Sequence, residues 1–570
     1  MGHSTNLRQR VPAECEAREY GFVILGSLVA LALTSIPYVV GASLSGDGRV
    51  FGGFVYAVGD CYSYLAKMRQ GAEGAWLFHI PYTPEAHPGA LFFLFHLLLG
   101  KIAALLPGDD LTQRLVWIYH AARWIFGVGL LTTIYHFLAV LTGRVRIRRV
   151  AWSMIAFGGG LGWLLVALGR PGWLGSMPLD LLLPEAFTFL VLFAFPHIAL
   201  ARTLLLWGLL ALVRSWDLLG VDSSAMRSRE SAAPPPAGGN AGRVQWRAAG
   251  LAGLLWLGMG LVVPFYIAVA WAVVGAAWVF LSIRQGRPCW TRAAEPLVAG
   301  LISAPVVLYS AWRFSSHPVY ATWAAQNQVL SPHPLHYLAA FGVPLALALT
   351  ALPTAWRSRR PAWLAIAWVA VVPLLVYLPF NLQRRLVEAV QIPLSLLAAI
   401  GLTRIADSGP SRSGWKSRVA LCAVLFTMLP TNALLIGGTV VTLRGQPSPV
   451  FRDRDEIGAM DWLAPRVRPT DVVLASFETG NYLPARVGAR AFLGHGPESV
   501  RETEKRAEVN EFFEATTSDA WRRDLLKRYG VDYVLWGPAE RALGGFQPVE
   551  APYLRERHQE GHYIVFEVAL

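Results

Sequence analysis

Long apolar runs, separated by short basic clusters, fill the first three quarters of this 570-residue chain. A run of about 20 predominantly apolar residues is long enough to cross the hydrocarbon core of a bilayer as an α-helix. The first run, about Tyr20–Leu44, is too long for the apolar part of a signal peptide, which favours a retained anchor. The pattern predicts a polytopic α-helical membrane protein with about 11 transmembrane helices plus juxtamembrane helices.

Composition agrees with this prediction and excludes an ordinary soluble enzyme or a disordered chain. Hydrophobic residues make up 54% of the chain and charged residues only 15%, whereas an average soluble domain carries about 25% charged residues. The chain also contains 22 Trp, a residue type enriched at membrane interfaces. Its four Cys are too few and too scattered to indicate a disulfide framework or a zinc site.

The net charge of +13 is unevenly distributed along the chain. Residues 1–443 contain 33 Lys and Arg against 17 Asp and Glu, whereas residues 444–570 contain 17 against 20. Because the basic clusters interrupt apolar runs, nucleic-acid binding explains them poorly. Cytoplasmic loops of membrane proteins carry such an excess. We therefore expect a multi-pass protein of the plasma (inner) membrane with a cytoplasmic N-terminus and an extracytoplasmic C-terminal domain.

The same charge bias indicates which apolar runs span the membrane. The cluster Arg144–Arg149 would lie outside if both preceding runs, about Gly89–Leu106 and Leu115–Leu141, crossed the membrane. We therefore predict that Gly89–Leu106 is a helix at the outer interface. Residues 214–247, rich in Pro and Gly, predict a disordered inner linker. The other predicted spans are approximately Val150–Gly169, Phe189–Val213, a hairpin over Ala248–Ile283 turning near Pro264, Glu295–Trp312, Tyr337–Leu352, Ala362–Pro379, Ala389–Leu402 and Val419–Leu443.

The composition becomes soluble after the last apolar run, which predicts two domains, a transmembrane domain over 1–443 and an α/β domain over 444–570. Hydrophobic periodicity in the second domain alternates between the helical and the strand pattern. The predicted helices are Asp453–Val467, Glu498–Ala515 and Asp519–Tyr529, and the predicted strands are Asp471–Ser476, Val531–Gly537 and Tyr563–Val568. This domain contains no phosphate-binding loop, dinucleotide-binding glycine motif or metal-spacing cluster.

Acidic residues are scarce in the apolar part, and Asp60 is the first candidate for chemistry among them. It lies in Gly-Asp-Cys-Tyr-Ser-Tyr-Leu-Ala-Lys-Met, a short distance after the first predicted span. A carboxylate at the membrane surface can act as a general base or as a metal ligand. The structural alternative is a helix N-cap, because Asp is a favoured capping residue.

Two further predicted outer segments carry acids. Tyr-Thr-Pro-Glu-Ala-His-Pro places Glu85 and His87 just before the predicted interfacial helix, where they are candidates to bind substrate or, alternatively, to form a Pro-bounded turn. Asp180 and Glu185 lie in the next outer loop, where solvated acids are equally common. Carboxylates from separate loops can bind a divalent cation such as Mg or Mn, and the candidate ligands are Asp60, Glu85 and Asp180.

Arg384 and Arg385 are the basic pair that breaks the charge rule, because they fall on the predicted outer side. The planar donors of Arg suit a phosphate or diphosphate, although snorkelling to lipid headgroups is the alternative. His197 is predicted inside a span, where it is either functional or a hydrogen-bonding residue beside a Pro. Interface packing explains Trp323–Gln328 more simply than substrate contact does, and a turn explains the Gly-flanked His495.

Taken together, this layout resembles the GT-C superfamily of integral-membrane glycosyltransferases, and in particular protein O-mannosyltransferases and the lipid A aminoarabinose transferase. In that superfamily the first outer loop carries a key Asp and is followed by juxtamembrane helices, and a soluble outer domain often ends the chain. The resemblance implies that Asp60 is the catalytic Asp. Two departures matter: the paired acids usual in the first loop are absent, since Cys61 follows Asp60, and the Trp-Trp-Asp-Tyr-Gly motif of oligosaccharyltransferases does not occur.

The resemblance also implies roles for the remaining candidates. Glu85 is similar in position to the acid that precedes the second juxtamembrane helix, and Asp180 or Glu185 stands where the acid of the second outer loop is expected. Arg384 or Arg385 would bind the phosphate of the donor. The chain is most similar to bacterial members of the superfamily, so the resemblance does not identify an acceptor.

These observations lead to a functional hypothesis. The protein is expected to transfer a sugar from a polyprenyl-phosphate-linked donor to an acceptor at the extracytoplasmic membrane face, with membrane lipids and the donor as partners and no nucleic acid. A membrane transporter or flippase of lipid-linked or polar substrates is the main competing hypothesis, although the absence of an internal repeat in the sequence disfavours it. Two weaker hypotheses are a polymerase or ligase of another membrane fold and a non-catalytic scaffold.

Overall fold

The protein is described from a computed structural model, which covers residues 17–216, 244–358, 360–407, 422–424 and 426–570. Within these residues, eight helices are long and apolar enough to cross a membrane. The chain is therefore an integral membrane protein, as predicted. The eight helices are Arg18–Ser43, Leu111–Leu141, Pro196–Ser215, Tyr266–Gln285, Trp290–Ser316, Leu335–Trp356, Gln383–Asp407 and Cys422–Leu443.

Helices in the apolar part are numbered here in chain order. Their bounds are α1 Ala17–Ser43, α2 Val58–Ala72, α3 Leu94–Ala104, α4 Leu111–Leu141, α5 Val145–Phe157, α6 Gly162–Ala167, α7 Leu179–Leu182, α8 Thr188–Ala194, α9 Pro196–Ser215, α10 Trp246–Val262, α11 Tyr266–Gln285, α12 Ala294–Ser316, α13 Pro318–Gln326, α14 Leu335–Trp356, α15 Trp363–Leu375, α16 Gln391–Asp407 and α17 Pro430–Leu443. A 3-10 turn over Gln383–Val387 precedes α16.

Several predicted spans differ from the observed helices, and backbone sterics explain the differences. The predicted span Val150–Gly169 is interrupted after α5, where a Cβ on Gly160 would lie 2.3 Å from the carbonyl oxygen of Ala340. The predicted span Phe189–Val213 is divided into α8 and α9, because Pro196 cannot continue the hydrogen bonding of a preceding helix. The predicted hairpin is confirmed, since α10 and α11 flank Pro264.

The predicted interfacial helix Gly89–Leu106 is observed as the shorter helix α3. Its 11 residues extend about 16 Å, roughly half of the 30 Å hydrocarbon core of a bilayer. It packs against α2 and α4. The basic residues near the N-terminus and most of the predicted linker over 214–247 lie outside the described residues.

The C-terminal part is a mixed sheet covered by helices, in agreement with the predicted α/β class. Strand β1, Arg49–Phe51, lies in the apolar part after α1. The strands of the C-terminal part are β2 Phe451–Asp453, β3 Val472–Leu474, β4 Arg490–Ala491, β5 Tyr533–Trp536, β6 Leu554–Glu560 and β7 Tyr563–Val568. Its helices are α18 Arg454–Leu463, α19 Phe477–Arg486, α20 Glu502–Phe513, α21 Asp519–Tyr529 and α22 Pro538–Arg541. The five-stranded sheet has the order β4-β3-β5-β7-β6. Its first three strands are parallel, and β7 runs antiparallel to both of its neighbours.

The three predicted helices and three predicted strands of this part correspond to α18, α20, α21, β3, β5 and β7. The sequence patterns did not reveal β6, whose exposed positions carry charge, or α19. Strand β2 pairs with β1 from the loop after α1, which joins the two parts of the chain by backbone hydrogen bonds.

The sheet part and helix α2 share one hydrophobic core. Tyr62 of α2 and Tyr482 of α19 pack with ring centroids 4.8 Å apart. The hydroxyl of Tyr82 donates to the carbonyl oxygen of Asn481 at 3.0 Å. This packing fixes α2 between the helices and the sheet, so residues on its exposed face have a defined position.

A fully buried ion pair holds the segment before α16 against α9. The guanidinium of Arg202 donates to both carboxylate oxygens of Glu388, at 2.6 and 3.1 Å, and also to the carbonyl oxygens of Pro184 and Glu185. Neither charged side chain is exposed. Because it binds the carbonyl oxygens of Pro184 and Glu185 as well as Glu388, the guanidinium fixes the turn that carries Glu185.

We predict that Glu388→Leu destabilises the protein because it leaves the Arg202 guanidinium buried without its counter-charge. The expected loss is about 3–5 kcal/mol in the free energy of unfolding, measured by thermal unfolding in detergent. The double variant Arg202→Met with Glu388→Leu should recover much of this loss. Asp524→Asn, which removes an exposed carboxylate, is the control and should leave the melting temperature unchanged. A normal melting temperature for the single variant would contradict the prediction.

Candidate functional site

Asp60 lies in the first turn of α2, on the side that faces the C-terminal part. The helix begins after Ala57, which has a positive φ of 46° and provides no side-chain cap. Asp60 is therefore not the N-cap that the structural alternative required. Its Oδ1 accepts a hydrogen bond of 3.0 Å from Nε2 of His495, and half of its side chain (50%) remains exposed.

The surroundings of Asp60 favour the ionised carboxylate. Burial alone raises the pKa of Asp60, but the hydrogen bond and charge of His495, together with Arg385 and Lys67, lower this pKa below its usual value. The carboxylate is consequently charged at neutral pH and has a lone pair available on its exposed side.

Arg385 is the cation that interacts with both Asp60 and the predicted loop acid Glu185. Its Nε lies 3.6 Å from Oε1 of Glu185, whose side chain is only 5% exposed, whereas 37% of the Arg385 side chain is exposed. Electrostatic interactions also link Arg385 to Asp60 and to Tyr64 of α2. The structure thus brings together Asp60, Glu185 and Arg385, three residues that are far apart in the sequence.

Arg384 occupies a different environment from its neighbour. Its electrostatic interactions are with Glu185, Tyr337 and Tyr56, and its backbone N–H donates to the carbonyl oxygen of Val329 at 3.2 Å. Both arginines therefore interact with Glu185, but Arg384 also interacts with Tyr337 and Tyr56.

A cavity of about 570 Å³ adjoins this group. Arg385, Glu185, Tyr64 and His197 form one part of its lining. The rest is largely apolar and comes from α10, α11, α12, α13 and the segment before α3, with Phe92, Phe93, Leu261, Val262, Phe265, Val307, Phe314 and Trp323 among the lining residues. A cavity lined by a few charged side chains and otherwise largely by apolar ones is suited to an amphiphile that carries an anionic group.

His197 lines the cavity at the beginning of α9. Its ring centroid lies 4.8 Å from that of Tyr64 and 5.1 Å from that of His96. The Nδ1 atom of His197 is buried and has no hydrogen-bond partner within the described part of the chain. The predicted residue is thus at the site, beside Pro196 as the sequence suggested.

Glu85 and His87 belong to a structural turn and not to the cavity lining. The carboxylate of Glu85 accepts hydrogen bonds from Thr83, from Lys505 at 2.6 Å and from Arg501 at 3.1 Å. Nδ1 of His87 donates to the carbonyl oxygen of Glu85, and Nε2 accepts from the backbone N–H of Ile80. Burial lowers the pKa of His87 to about 4, so this ring is neutral and both of its nitrogens are in use.

Asp180 is also held by structural hydrogen bonds. Its Oδ2 accepts from the backbone N–H groups of Gly160 and Gly162, at 2.9 and 3.0 Å, and from the hydroxyl of Thr431 at 2.8 Å. Burial raises the pKa of Asp180, although these donors act in the opposite direction. The side chain closes the loop between α5 and α6 and ties it to α17.

The predicted metal ligands Asp60, Glu85 and Asp180 therefore do not form one ligand set in the described residues. Each carboxylate is held by a separate group of donors, and both oxygens of Glu85 accept hydrogen bonds. No cluster of three or more His, Cys, Asp or Glu side chains able to hold a metal ion occurs within the described ranges. Among the described residues these three carboxylates therefore do not share one ligand set, and the divalent cation stays a prediction.

Three residues close to Asp60 were not predicted from the sequence as site residues. Lys67 and Glu498 were not candidates, and His495 was interpreted as part of a turn. Asp60, Ser63 and Lys67 are spaced so that all three lie on one face of α2. A helical projection of the sequence shows this spacing. The ammonium group of Lys67 donates to Oε1 of Glu498 at 2.6 Å with 1% of the Lys67 side chain exposed. Nothing in the sequence pattern relates Glu498 to α2, because their contact depends on the packing of the two parts of the chain.

We predict that Asp180→Ala lowers the melting temperature in detergent, because three buried donors lose their acceptor. The expected cost is about 1–3 kcal/mol for each buried group left unpaired, reduced where water enters. Asp180→Asn is the matched control, since its amide oxygen can accept the same hydrogen bonds and should preserve most of the stability. Equal melting temperatures for the two variants would contradict a structural role.

Among the comparisons with known proteins, only the comparison with solved structures found similar proteins. Neither the family models nor the curated proteins include a match to this chain. The structure is similar to the apo oligosaccharyltransferase of Archaeoglobus fulgidus, with a TM-score of 0.50 and 12% sequence identity over 90% of this chain and 69% of that one. It is also similar, with a TM-score of 0.46 and 12% identity over 96% and 98% of the two chains, to ArnT from Cupriavidus metallidurans bound to undecaprenyl phosphate.

At this level of identity the likeness concerns the fold. The similarity to the apo oligosaccharyltransferase extends over both the helical part and the C-terminal sheet, because it covers 90% of the chain. The fold anticipated from the predicted spans, the short helices after the first span and the terminal α/β part is confirmed. The protein has the fold of that archaeal oligosaccharyltransferase.

Proposed function

We propose that the protein transfers a sugar from a polyprenyl-phosphate-linked donor to an acceptor at the extracytoplasmic face of the membrane. One observation carries the proposal: Arg385 and Glu185 line one part of a largely apolar cavity of about 570 Å³, and Asp60 interacts with Arg385 from the adjoining helix. A lipid phosphate needs a cation beside an apolar groove, and transfer from it needs a base nearby. The arrangement supports both requirements.

Arg385 is proposed to bind the donor phosphate. Its guanidinium is partly exposed at the cavity, and the planar donors of Arg can bind two phosphate oxygens together. The apolar lining from α10, α12 and α13 would surround the first part of the isoprenoid tail. Glu185 would orient Arg385 through their ion pair, and Tyr64 and His197 would lie beside the sugar.

Asp60 is proposed as the general base. It would accept the proton of an acceptor hydroxyl while the acceptor oxygen bonds to the anomeric carbon, and the bond between that carbon and the phosphate oxygen breaks. The electrons of this bond pass to the phosphate, whose developing charge Arg385 would stabilise. Attack from the side opposite the phosphate would invert the anomeric configuration.

The location of the site rests on the charge distribution along the chain. The positive-inside bias places the N-terminus in the cytoplasm and the 444–570 domain outside, and Asp60 contacts that domain. We therefore propose that the reaction occurs at the extracytoplasmic face of the plasma membrane, with the transmembrane domain over 1–443 holding the donor.

We predict that Asp60→Asn abolishes sugar transfer, with a loss of at least about 10²-fold typical of removing a general base. The measurement is product formation by the reconstituted protein from a radiolabelled polyprenyl-phosphate sugar. Asp47→Asn, at an exposed acid of the same loop, is the matched control and should remain active. Wild-type turnover by the Asp60 variant would remove Asp60 from the mechanism, and transport of the labelled lipid without bond formation by the wild type would favour a flippase.

We predict that Arg385→Met raises the KM for the donor about tenfold or more, because a charge-assisted contact with the phosphate is lost. Arg384→Met is the matched control, since Arg384 is not among the residues that line the cavity, and it should change the KM much less. The measurement is initial velocity against donor concentration in proteoliposomes. Equal effects of the two substitutions would contradict the assignment of Arg385.

A further inference from the structure

Within the described residues, the catalytic carboxylate proposed above has one direct side-chain hydrogen-bond partner, which comes from the other part of the chain. Nε2 of His495 lies 3.0 Å from Oδ1 of Asp60. Since ionised Asp60 has only lone pairs, the ring nitrogen is the donor. Oδ1 is therefore occupied, and the exposed remainder of the carboxylate faces the open side of the site, with 50% of the side chain accessible.

The backbone around His495 is fixed by short hydrogen bonds within its own turn. The hydroxyl of Ser499 accepts from the backbone N–H groups of Gly494 and His495, both at 3.1 Å, and the N–H of Ser499 donates to the carbonyl oxygen of His495 at 2.7 Å. A Cβ on Gly494 would lie 2.3 Å from the carbonyl oxygen of Gly480, so a larger residue would displace the turn from α19. The position of the imidazole is thus determined by its chain segment.

A buried charge pair lies on the other side of the same imidazole. Nδ1 of His495 is 3.9 Å from Oε1 of Glu498, which in turn accepts hydrogen bonds from Lys67 at 2.6 Å and Ser63 at 3.0 Å. Lys67 is held over the ring of Phe93, with its nitrogen 4.1 Å from the ring centroid. Because Ser63 and Lys67 follow Asp60 on one face of α2, the chain of contacts starts and ends on the same helix.

The turn is also tied to the wall of the donor cavity. The amide nitrogen of Gln326 donates to the carbonyl oxygens of Pro497 and Ser499, at 2.9 and 2.6 Å. Gln326 is the last residue of α13, which supplies Trp323 to the cavity lining. The segment with His495 therefore contacts both the base and the element that would surround the donor.

We propose that His495 is a positioning residue for the transfer reaction, which holds the carboxylate of Asp60 in the orientation that accepts the acceptor proton. This inference rests on the proposed function. By donating Nε2–H to Oδ1, His495 would stop rotation of the carboxylate and leave Oδ2 for the hydroxyl proton. The imidazole keeps its own proton throughout, so bond formation and cleavage are those of the transfer itself. The soluble domain would in this way complete the active site.

The test compares His495→Ala and His495→Gln in the full-length reconstituted protein with the radiolabelled donor. We expect His495→Ala to reduce kcat about 10²-fold, the scale of a misplaced catalytic group, with the KM for the donor unchanged. His495→Gln, whose amide N–H can occupy the place of Nε2, should restore kcat to within about tenfold of wild type. His562→Ala, at an exposed His of the same domain, is the matched control and should behave as wild type.

Thermal unfolding of each variant separates positioning from a purely structural role. A kcat loss for His495→Ala with an unchanged melting temperature, and recovery by Gln, supports the proposal. Wild-type kcat in His495→Ala overturns it, and so does a loss that tracks the melting temperature or that Gln does not restore. If the wild type itself forms no product, the proposed function fails instead, and the two failures are thereby distinguished.

Discussion

The cost of burying a charge without a partner determines how this protein uses its few acidic residues. Glu388 and Glu85 accept hydrogen bonds on both carboxylate oxygens, and Glu498 and Asp180 each accept several on one oxygen, so these four residues hold turns and helices together. Asp60 differs, because one oxygen is hydrogen-bonded while half of the side chain is exposed beside a cation. The constraint thus separates these four acids, which stabilise the fold, from Asp60, whose side chain is half exposed.

The sequence predicted the architecture well, because apolar length and charge bias act locally along the chain. The same local signals could not distinguish an acid with a structural role from an acid with a candidate catalytic role. Asp180 and Asp60 are both loop acids in the sequence, and only the approach of Gly160, Gly162 and Thr431 shows that Asp180 is engaged. The metal ligand set was inferred from residue type, and three-dimensional packing gave each member different partners. For the same reason His495 was interpreted as a turn: it forms one, and its contact with Asp60 connects segments 435 residues apart.

The doublet Arg384 and Arg385 illustrates a limit of the charge rule. That rule identified the pair as an exception, which indicated an anionic ligand, but it could not distinguish the two residues. Adjacent side chains in a 3-10 turn point in different directions. Glu185 attracts both guanidinium groups, but Arg385 is among the residues that line the cavity, whereas Arg384 is not and interacts with Tyr56 and Tyr337 as well. The turn is held by Arg202, which binds the Glu185 carbonyl and the carboxylate of Glu388 together. A wholly buried ion pair therefore anchors Glu388, three residues after Arg385, to the segment that carries Glu185.

The composition of the chain changes sharply near residue 444, but the two parts on either side of this boundary pack closely together. Helix α2 belongs to the apolar part, yet its buried face shares a hydrophobic core with α19 and β3, and its polar face contacts Glu498 and His495. Strands β1 and β2 add backbone pairing between the two parts. Removing the C-terminal part would expose that core and leave Lys67 without its carboxylate. The two parts consequently form the site jointly, and the soluble part is a structural component of the membrane-embedded one.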